Sequence, residues 1–454
     1  MTRTEESIRQ LASWISLEVF TQEMGFKNAS FHKDWYKFLQ YKFSPLEHEK
    51  ELLKKYLQLW PRGHGKTTAI MNYVLWLIGN NHDINIQIVS KTANQAESIC
   101  LAVMTIIEFD PQYKKLFGDL KPNPAVKWTG QQFIVDRDKI SKNPTLKATG
   151  LMGPTTGGRN DLIICDDIID EENVRTLVQL EKVHTWFNKI FYPTLFPWGG
   201  IIVIGTRWSY ADLYSELIKT WNHSVLTAIQ KDQKTVLWPE YWSLKKLLNR
   251  RKEIGSIIFD CQYQNDPTGM EGSLLKAEWL KPWEVPPSNK CEYYAGIDPS
   301  MGEHDYFGVA TIAYDRRADQ LYLEDVWAEH MSLPDILKHK LPELNRKYKY
   351  TKMFMETNFW QKLLMNVPEI KVLPVAPVVT VRDKTQRFIT LSSHFESGRV
   401  LVNPLLLINK GEFWREWVQF PRGQHDDAVD CVDLVVSRLI KHGKLDVGTS
   451  EIPW

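Results

Sequence analysis

The stretch from Leu57 to Ile70, LQLWPRGHGKTTAI, runs from an apolar segment into Gly63-His64-Gly65-Lys66-Thr67-Thr68. A bound phosphate needs such a turn: glycines free the loop, backbone N–H groups point inward, and the following helix presents its positive end. At this spacing Lys66 reaches the β and γ phosphates of ATP and Thr67 can ligate Mg²⁺. Gly63, Gly65 and Thr68 complete the cradle, and Arg62 adds a second cation for the γ-phosphate. The pattern departs from the usual Walker A order at its first glycine, where Trp60 stands, followed by Pro61. The competing reading is a helix cap that contains a chance lysine.

Further along, DLIICDDIID places four apolar residues, Leu162 to Cys165, before Asp166 and Asp167. A strand here would deliver Asp166 to the Mg²⁺ shell. Asp167 then occupies the position of a water-activating base, with Glu171 and Glu172 as substitutes, because aspartate is one methylene shorter than the usual glutamate. The segment IIVIGTRWS ends in Gly205, Thr206 and Arg207. Ligands of an α/β sheet sit at the carboxyl ends of its strands, so Gly205 and Thr206 are expected to couple phosphate loss to movement; a structural turn is the alternative. Arg159, in TTGGRND, is a candidate finger for a neighbouring subunit or a partner in a surface salt bridge.

A second constellation is made of acids. YYAGIDPS ends a strand at Asp298, KMFMETN ends another at Glu356, and GQHDDAVDCVD opens a helix with Asp426, Asp427 and Asp430. Three carboxylates from distant positions can hold two Mg²⁺ or Mn²⁺ ions about 3.5 to 4 Å apart and hydrolyse a phosphodiester. Hard oxygen donors with no cysteine or histidine cluster favour Mg²⁺ or Mn²⁺ over zinc. Asp298, Glu356 and Asp427 are the expected ligands, Asp430 and Asp426 the assistants, and Asp305 an auxiliary or a turn residue. Helix capping accounts for Asp426 but not for Asp298 or Glu356. Arg382, Lys384 and Arg387 share one face of a helix and either contact DNA phosphates or form a solvated face.

The elements that must position these groups fall into two series. After amphipathic helices in residues 1–50 come the strand YLQLW, the helix TTAIMNYVLWLIG, the strand INIQIVS, the helix ANQAESICLAVMTIIEF, and the unbroken apolar strands DLIICD and GIIVIGT. That order predicts an α/β domain with a parallel sheet over 51–235. The proline-, glycine- and charge-rich stretch 236–288 reads as a linker. Over 289–440 the strands CEYYAGID, YFGVATIAYD and QLYLEDVW precede a helix near 333–347, the strands TKMFMET and KVLPVAP, and further helices; 441–454 is a tail. Three consecutive strands and then alternation is the order of an RNase H-like core.

Composition narrows the partners little. A net charge of +1 over 454 residues leaves any nucleic-acid contact to local basic patches. The five cysteines are far apart, which predicts a reduced compartment and no structural zinc. The start MTRTEESIRQ has no export signal, and no run approaches the ~20 apolar residues of a membrane span.

The proline-arginine loop, the DLIICDD strand, the GTRW strand end and the Asp, Glu, His-Asp-Asp series together resemble the large terminase subunit of tailed bacteriophages or prophages. The resemblance runs over nearly the whole chain, most weakly before about residue 45 and after about 440. It implies a P-loop ATPase followed by an RNase H-like nuclease, which cuts concatemeric double-stranded DNA and drives it through the portal protein into an empty procapsid. It also implies a small terminase subunit as partner, a pentamer on the procapsid, the host cytoplasm as location, and no membrane. By this resemblance Arg62, Lys66, Asp166, Gly205 and Thr206 serve the motor, and Asp298, Glu356 and Asp427 the nuclease. A repair or defence enzyme with fused ATPase and nuclease would need the same two sites but no portal, and a transposase-like recombinase would use the acid triad with little independent ATP turnover.

Overall fold

The computed structural model describes residues 3–43, 54–121, 127–138, 140–153, 158–170, 177–209, 212–288, 290–299, 307–329, 331–357, 364–380, 384–421 and 425–440, except 271–273. The chain divides into two compact units, one of Met1–Leu247 with Asp260–Thr268, the other of Leu248–Phe259 with Gly269–Val447. Residues before 50, read from the sequence as a separate helical segment, fall in the first unit. The stretch 236–288 is shared between the two.

In the first unit, helices α1 (Arg3–Ile15), α2 (Leu17–Glu23) and α3 (Ser30–Lys42) precede strand β1 (Lys55–Leu59). Then come α4 (Lys66–Asn80), β2 (Ile86–Ser90), α5 (Ala93–Phe109), α6 (Pro111–Phe117), β3 (Gln132–Phe133), β4 (Leu146–Gly150) and β5 (Asn160–Asp166). The series ends with α7 (Leu177–Thr185), β6 (Leu195–Gly205), α8 (Leu213–Thr220) and β7 (Asn222–Val225). The seven strands pair in the order β3-β4-β2-β5-β6-β1-β7, parallel except for β3 against β4.

Alternation explains the unbroken apolar runs. Leu162 and Ile164 of β5 enter one core with Trp35, Trp60 and Tyr73, while Ile163 and Cys165 enter another with Phe187, Leu213 and Tyr214. Successive side chains of a strand point to opposite faces, so a strand covered on both sides needs apolar residues at every position. The first core also takes Leu17, Phe20 and Leu39, so the N-terminal helices cover one face of the sheet.

Helices α9 (Leu244–Ile254) and α10 (Ser256–Gln264) carry the chain from unit to unit. The second unit holds β8 (Glu292–Pro299), β9 (Phe307–Asp315) and β10 (Gln320–Glu329), then α11 (Leu333–Asp335), a π-helical turn, α12 (Leu341–Tyr348) and β11 (Lys352–Glu356). It finishes with α13 (Pro368–Lys371), β12 (Val375–Val378), α14 (Lys384–Glu396), β13 (Val400–Val402), α15 (Pro404–Asn409), α16 (Glu412–Gln419) and α17 (Asp427–Leu439). Its sheet order is β12-β11-β8-β9-β10-β13, with β9 antiparallel to both neighbours and the other pairs parallel. The protein is thus a mixed α/β fold with a parallel sheet and a separate second unit. Among the described residues no helix is long and apolar enough to cross a membrane.

Candidate functional sites

The loop between β1 and α4 closes around two left-handed glycines, Gly63 at φ +70° and Gly65 at φ +77°. Gly65 caps α4, and a Cβ there would lie 3.0 Å from His32 Nε2. We expect Gly65→Ala to cost about 1–2 kcal/mol from the left-handed backbone alone, read as a thermal midpoint a few degrees lower and weaker nucleotide binding.

His32, carried by α3, reaches the loop from outside the glycine motif. Its Nε2–H donates to the His64 carbonyl at 3.0 Å, and its Nδ1 accepts the Ala29 N–H at 3.1 Å. His64 Nδ1–H donates to the Arg62 carbonyl at 2.9 Å. Burial pushes both imidazoles down to about 4, so both are neutral at pH 7, which agrees with these hydrogen-bond directions. Trp242 closes the outer side, its indole N–H 3.0 Å from the Gly63 carbonyl and its ring stacked on His64. Arg62 is exposed and tied to Gln262, by its N–H to the Gln262 carbonyl at 2.8 Å and by its guanidinium to the side chain at 3.1 Å.

At the floor of the loop, strands β5 and β6 bring their carboxyl ends to Lys66 and Thr67. Lys66 Nζ donates to Thr206 Oγ1 at 2.7 Å and lies 3.5 Å from Asp167. The Thr67 hydroxyl donates to Asp166 at 2.9 Å. Asp166 is fully buried and its other oxygen has no hydrogen-bond partner. Burial, and then the Asp167 charge, push its carboxyl up, against the Thr67 hydrogen bond and the Lys66 charge. A buried carboxylate with one open oxygen beside a threonine hydroxyl is a fitting place for a hard cation, so these residues fit Mg²⁺-nucleotide.

The neighbours of this floor are fixed more tightly than the sequence suggests. A Cβ on Gly205 would collide with the buried Tyr214 side chain, so close packing alone requires glycine there. Arg207 is buried, pairs with Asp212 at 3.0 Å, donates to Ser215 at 2.6 Å, and its backbone N–H meets Asn265 at 3.1 Å. Arg159 is exposed and donates to the Pro193 and Leu195 carbonyls of its own chain at 2.7 and 3.3 Å. Thr68, in the first turn of α4, is half-buried. Glu171 and Glu172 lie outside the described residues.

In the second unit, β8 and β11 run parallel with Ile297 opposite Met355. Asp298 and Glu356, one residue further on each, therefore occupy adjacent positions at the carboxyl ends of the two strands. Asp298 also pairs with Gly308 of β9. The backbone of α17 lies directly on this place: Asp427 O would be 3.3 Å from a Cβ on Gly308, and the Cys431 thiol and carbonyl press on Gly308 and Gly296. The two strand glycines thus admit α17, bringing Asp427 over the strand pair that carries Asp298. Asp298 and Asp427 are buried. The all-oxygen donor set suits Mg²⁺ or Mn²⁺. Among the described residues, however, no group of three or more acids, histidines or cysteines comes together closely enough to hold an ion. The three acids share one end of the fold without forming a finished cage.

Lys384 and Arg387 of α14 pair with the acids of α17 beside Asp427. Lys384 Nζ lies 2.7 Å from Asp426 and 2.6 Å from Asp430, and Arg387 lies 2.6 Å from Asp430 and 2.8 Å from Asp433. Asp430, read from the sequence as an assisting metal ligand, serves here as the shared counter-ion of both bases. Burial works against the Arg387 charge, but Asp430, Asp433 and Glu356 outweigh it and raise its pKa. Asp305 and Arg382 lie outside the described residues.

Sequence reasoning missed Glu416. It is buried on α16, and burial first, with the Asp427 and Glu412 charges, pushes its carboxyl up to about 8 against hydrogen bonds from Val429 and Ala428. The folded protein therefore holds a proton that the unfolded chain releases between pH 4.5 and 8, and the contribution of this group to stability falls as pH rises through that window. In Glu416→Gln, the thermal midpoint is expected to decline less from pH 5 to pH 8 than in the parent.

Residues 295–439 match the family described as the terminase RNaseH-like domain. The large terminase subunit of Enterobacteria phage T3 is 28% identical over 189 residues, which are 41% of this chain and only 30% of that protein. Among solved structures, the large terminase of the thermophilic bacteriophage D6E superposes with a TM-score of 0.47 at 12% identity, covering 85% of this chain and 94% of that one. The large terminase of bacteriophage HK97 gives 0.36 at 15% identity, covering 84% and 87%. Residues 295–439 thus resemble the terminase RNase H-like domain, and the chain is related to phage large terminase subunits.

Proposed function

We propose that this chain is the ATP-driven motor and endonuclease of viral DNA packaging. In this reading residues 51–235 form the ATPase, 289–440 the nuclease, and 236–288 their connection. ATP hydrolysis moves double-stranded DNA through a portal protein into a procapsid, and the second site cuts concatemeric DNA before and after. A pentamer in the host cytoplasm, docked on the procapsid and aided by a small terminase subunit, is the working assembly. The observation that carries the reading is a phosphate loop with its Lys66, Thr206, Thr67 and Asp166 contacts, followed in one chain by a domain of the terminase RNase H-like family.

At the first site, Lys66, Thr67 and the loop amides bind the phosphates, while Asp166 would help hold Mg²⁺. Asp167 orients the attacking water, with Glu171 and Glu172 as alternatives. Arg62 leaves Gln262 for the γ-phosphate, Arg159 offers a finger to a neighbour, and Thr206 senses phosphate loss through Lys66. At the second site Asp298, Glu356 and Asp427, assisted by Asp426, would hold Mg²⁺ or Mn²⁺, which when bound would supply a nucleophile at neutral pH and stabilise the leaving oxygen. Of the three bases read as DNA contacts, Arg382 keeps that role, while Lys384 and Arg387 hold the acids of α17.

The test is packaging itself. Purified chain, small subunit and portal-bearing procapsids are expected to render DNA resistant to added DNase only when ATP is present. Resistance without ATP, or none with it in an assembly that still docks, contradicts the motor reading.

A further inference from the structure

The helix that carries Asp427 begins without a cap of its own. Asp426 occupies the N-cap position of α17 but makes no capping hydrogen bond; its carboxylate is held 2.7 Å from Lys384. The first amides of a helix need acceptors, and a buried helix end without them is costly. The acceptor comes from another helix: Glu416 Oε2 accepts the Val429 N–H at 3.1 Å, and the neighbouring Ala428 amide also favours the charged carboxylate. These are the two residues that follow Asp427.

Glu416 is itself held rigidly. Trp417, beside it on α16, is fully buried, packs at a tilt against Phe395 with ring centroids 4.6 Å apart, and donates its indole N–H to the Lys276 carbonyl at 3.0 Å. Phe413, one turn earlier, is buried against the same tryptophan at 5.7 Å. From the opposite side α17 rests on Gly308 and Gly296. The start of α17 is therefore clamped between the strand glycines and the Glu416 carboxyl. A metal ligand is only as well placed as the atoms that orient it, and such supporting contacts typically govern affinity by 10–100-fold.

From this clamp we propose that Glu416 is a positioning residue for the nuclease site: it caps α17 from outside and so fixes Asp427, without itself touching metal or DNA. The functional half of this proposal rests on the nuclease reading; the capping half does not. Its requirement is an acceptor oxygen at the right reach, not a negative charge.

The experiment compares full-length parent, Glu416→Ala and Glu416→Gln by amide hydrogen exchange and by plasmid cleavage over a Mn²⁺ titration. In Glu416→Ala, exchange at Ala428 and Val429 is expected to quicken about 5- to 10-fold. Half-maximal cleavage is expected to need about tenfold more Mn²⁺, with ATP hydrolysis unchanged. Glu416→Gln keeps an acceptor and is expected to match the parent within about twofold in both readouts. Should the alanine variant fail to fold, Glu416→Asp, one methylene too short to reach the amides, replaces it.

Unchanged exchange at those amides overturns the cap. Faster exchange with an unchanged Mn²⁺ midpoint overturns the positioning role, and a glutamine variant as impaired as alanine shows that charge is what matters. Asp298→Ala is assayed alongside. If it cuts like the parent, the nuclease reading fails, while the exchange measurement still decides whether Glu416 caps α17.

Discussion

Lys66→Ala is expected to lower ATP turnover about 10³-fold and leave the fold intact. The lysine is buried, and its ammonium is committed to Thr206 at 2.7 Å and Asp167 at 3.5 Å, at the carboxyl ends of two parallel strands. Arg207 is buried against Asp212 and is not placed to replace it, and the γ-phosphate contact proposed for Arg62 adds to that of Lys66 without substituting for it. Lys66→Arg is not a rescue, because the guanidinium is larger and planar where the ammonium meets two different partners at once. DNA cleavage by the alanine variant without ATP is expected to be unchanged. Steady-state phosphate release checks the result, and a variant retaining even a tenth of the parent rate would move the nucleotide site elsewhere.

The second large effect is expected from Asp298→Ala, which should reduce DNA cleavage by about 10³-fold or more, since on the proposed nuclease reading several kcal/mol of transition-state stabilisation would depend on ions held there. Asp298 leaves β8 beside Glu356, and the strand position it shares with Gly308 lies under Asp427. Asp430→Asn is a useful contrast. Its carboxylate answers Lys384 and Arg387, so its loss should loosen α14 and lower stability before it affects the chemistry.

Much of this architecture is legible along the chain because it is local. The helix ANQAESICLAVMTIIEF is found at Ala93–Phe109, after Thr92, whose hydroxyl accepts the Gln95 N–H. β5 and β6 announce themselves as apolar runs because both of their faces are covered. The phosphate loop is legible because its chemistry needs glycines and a lysine in one turn. β3, β7 and β13 have only two to four residues, too few to show a period, and the sequence reading passed over them.

What stays hidden is contact between distant positions. His32 supports a loop that begins about thirty residues later, and no spacing rule links the two. The basic face of α14 reads as a surface that could meet phosphate, yet Asp426, Asp430 and Asp433 of α17 lie against it. Glu416 is the extreme case, because the sequence supplies an ordinary capping residue, Asp426, at the expected place, and the structure uses that side chain for an ion pair instead.

The central claim is that one chain carries two separable reaction centres. Its most direct test is the cleavage of supercoiled plasmid in Mg²⁺ or Mn²⁺ by the parent, Lys66→Ala and Asp298→Ala, with phosphate release measured in the same tubes. The account predicts that the parent does both, Lys66→Ala only cuts, and Asp298→Ala only hydrolyses ATP. If Asp298→Ala cuts like the parent, or if either folded variant loses both activities together, two independent centres at these residues are contradicted.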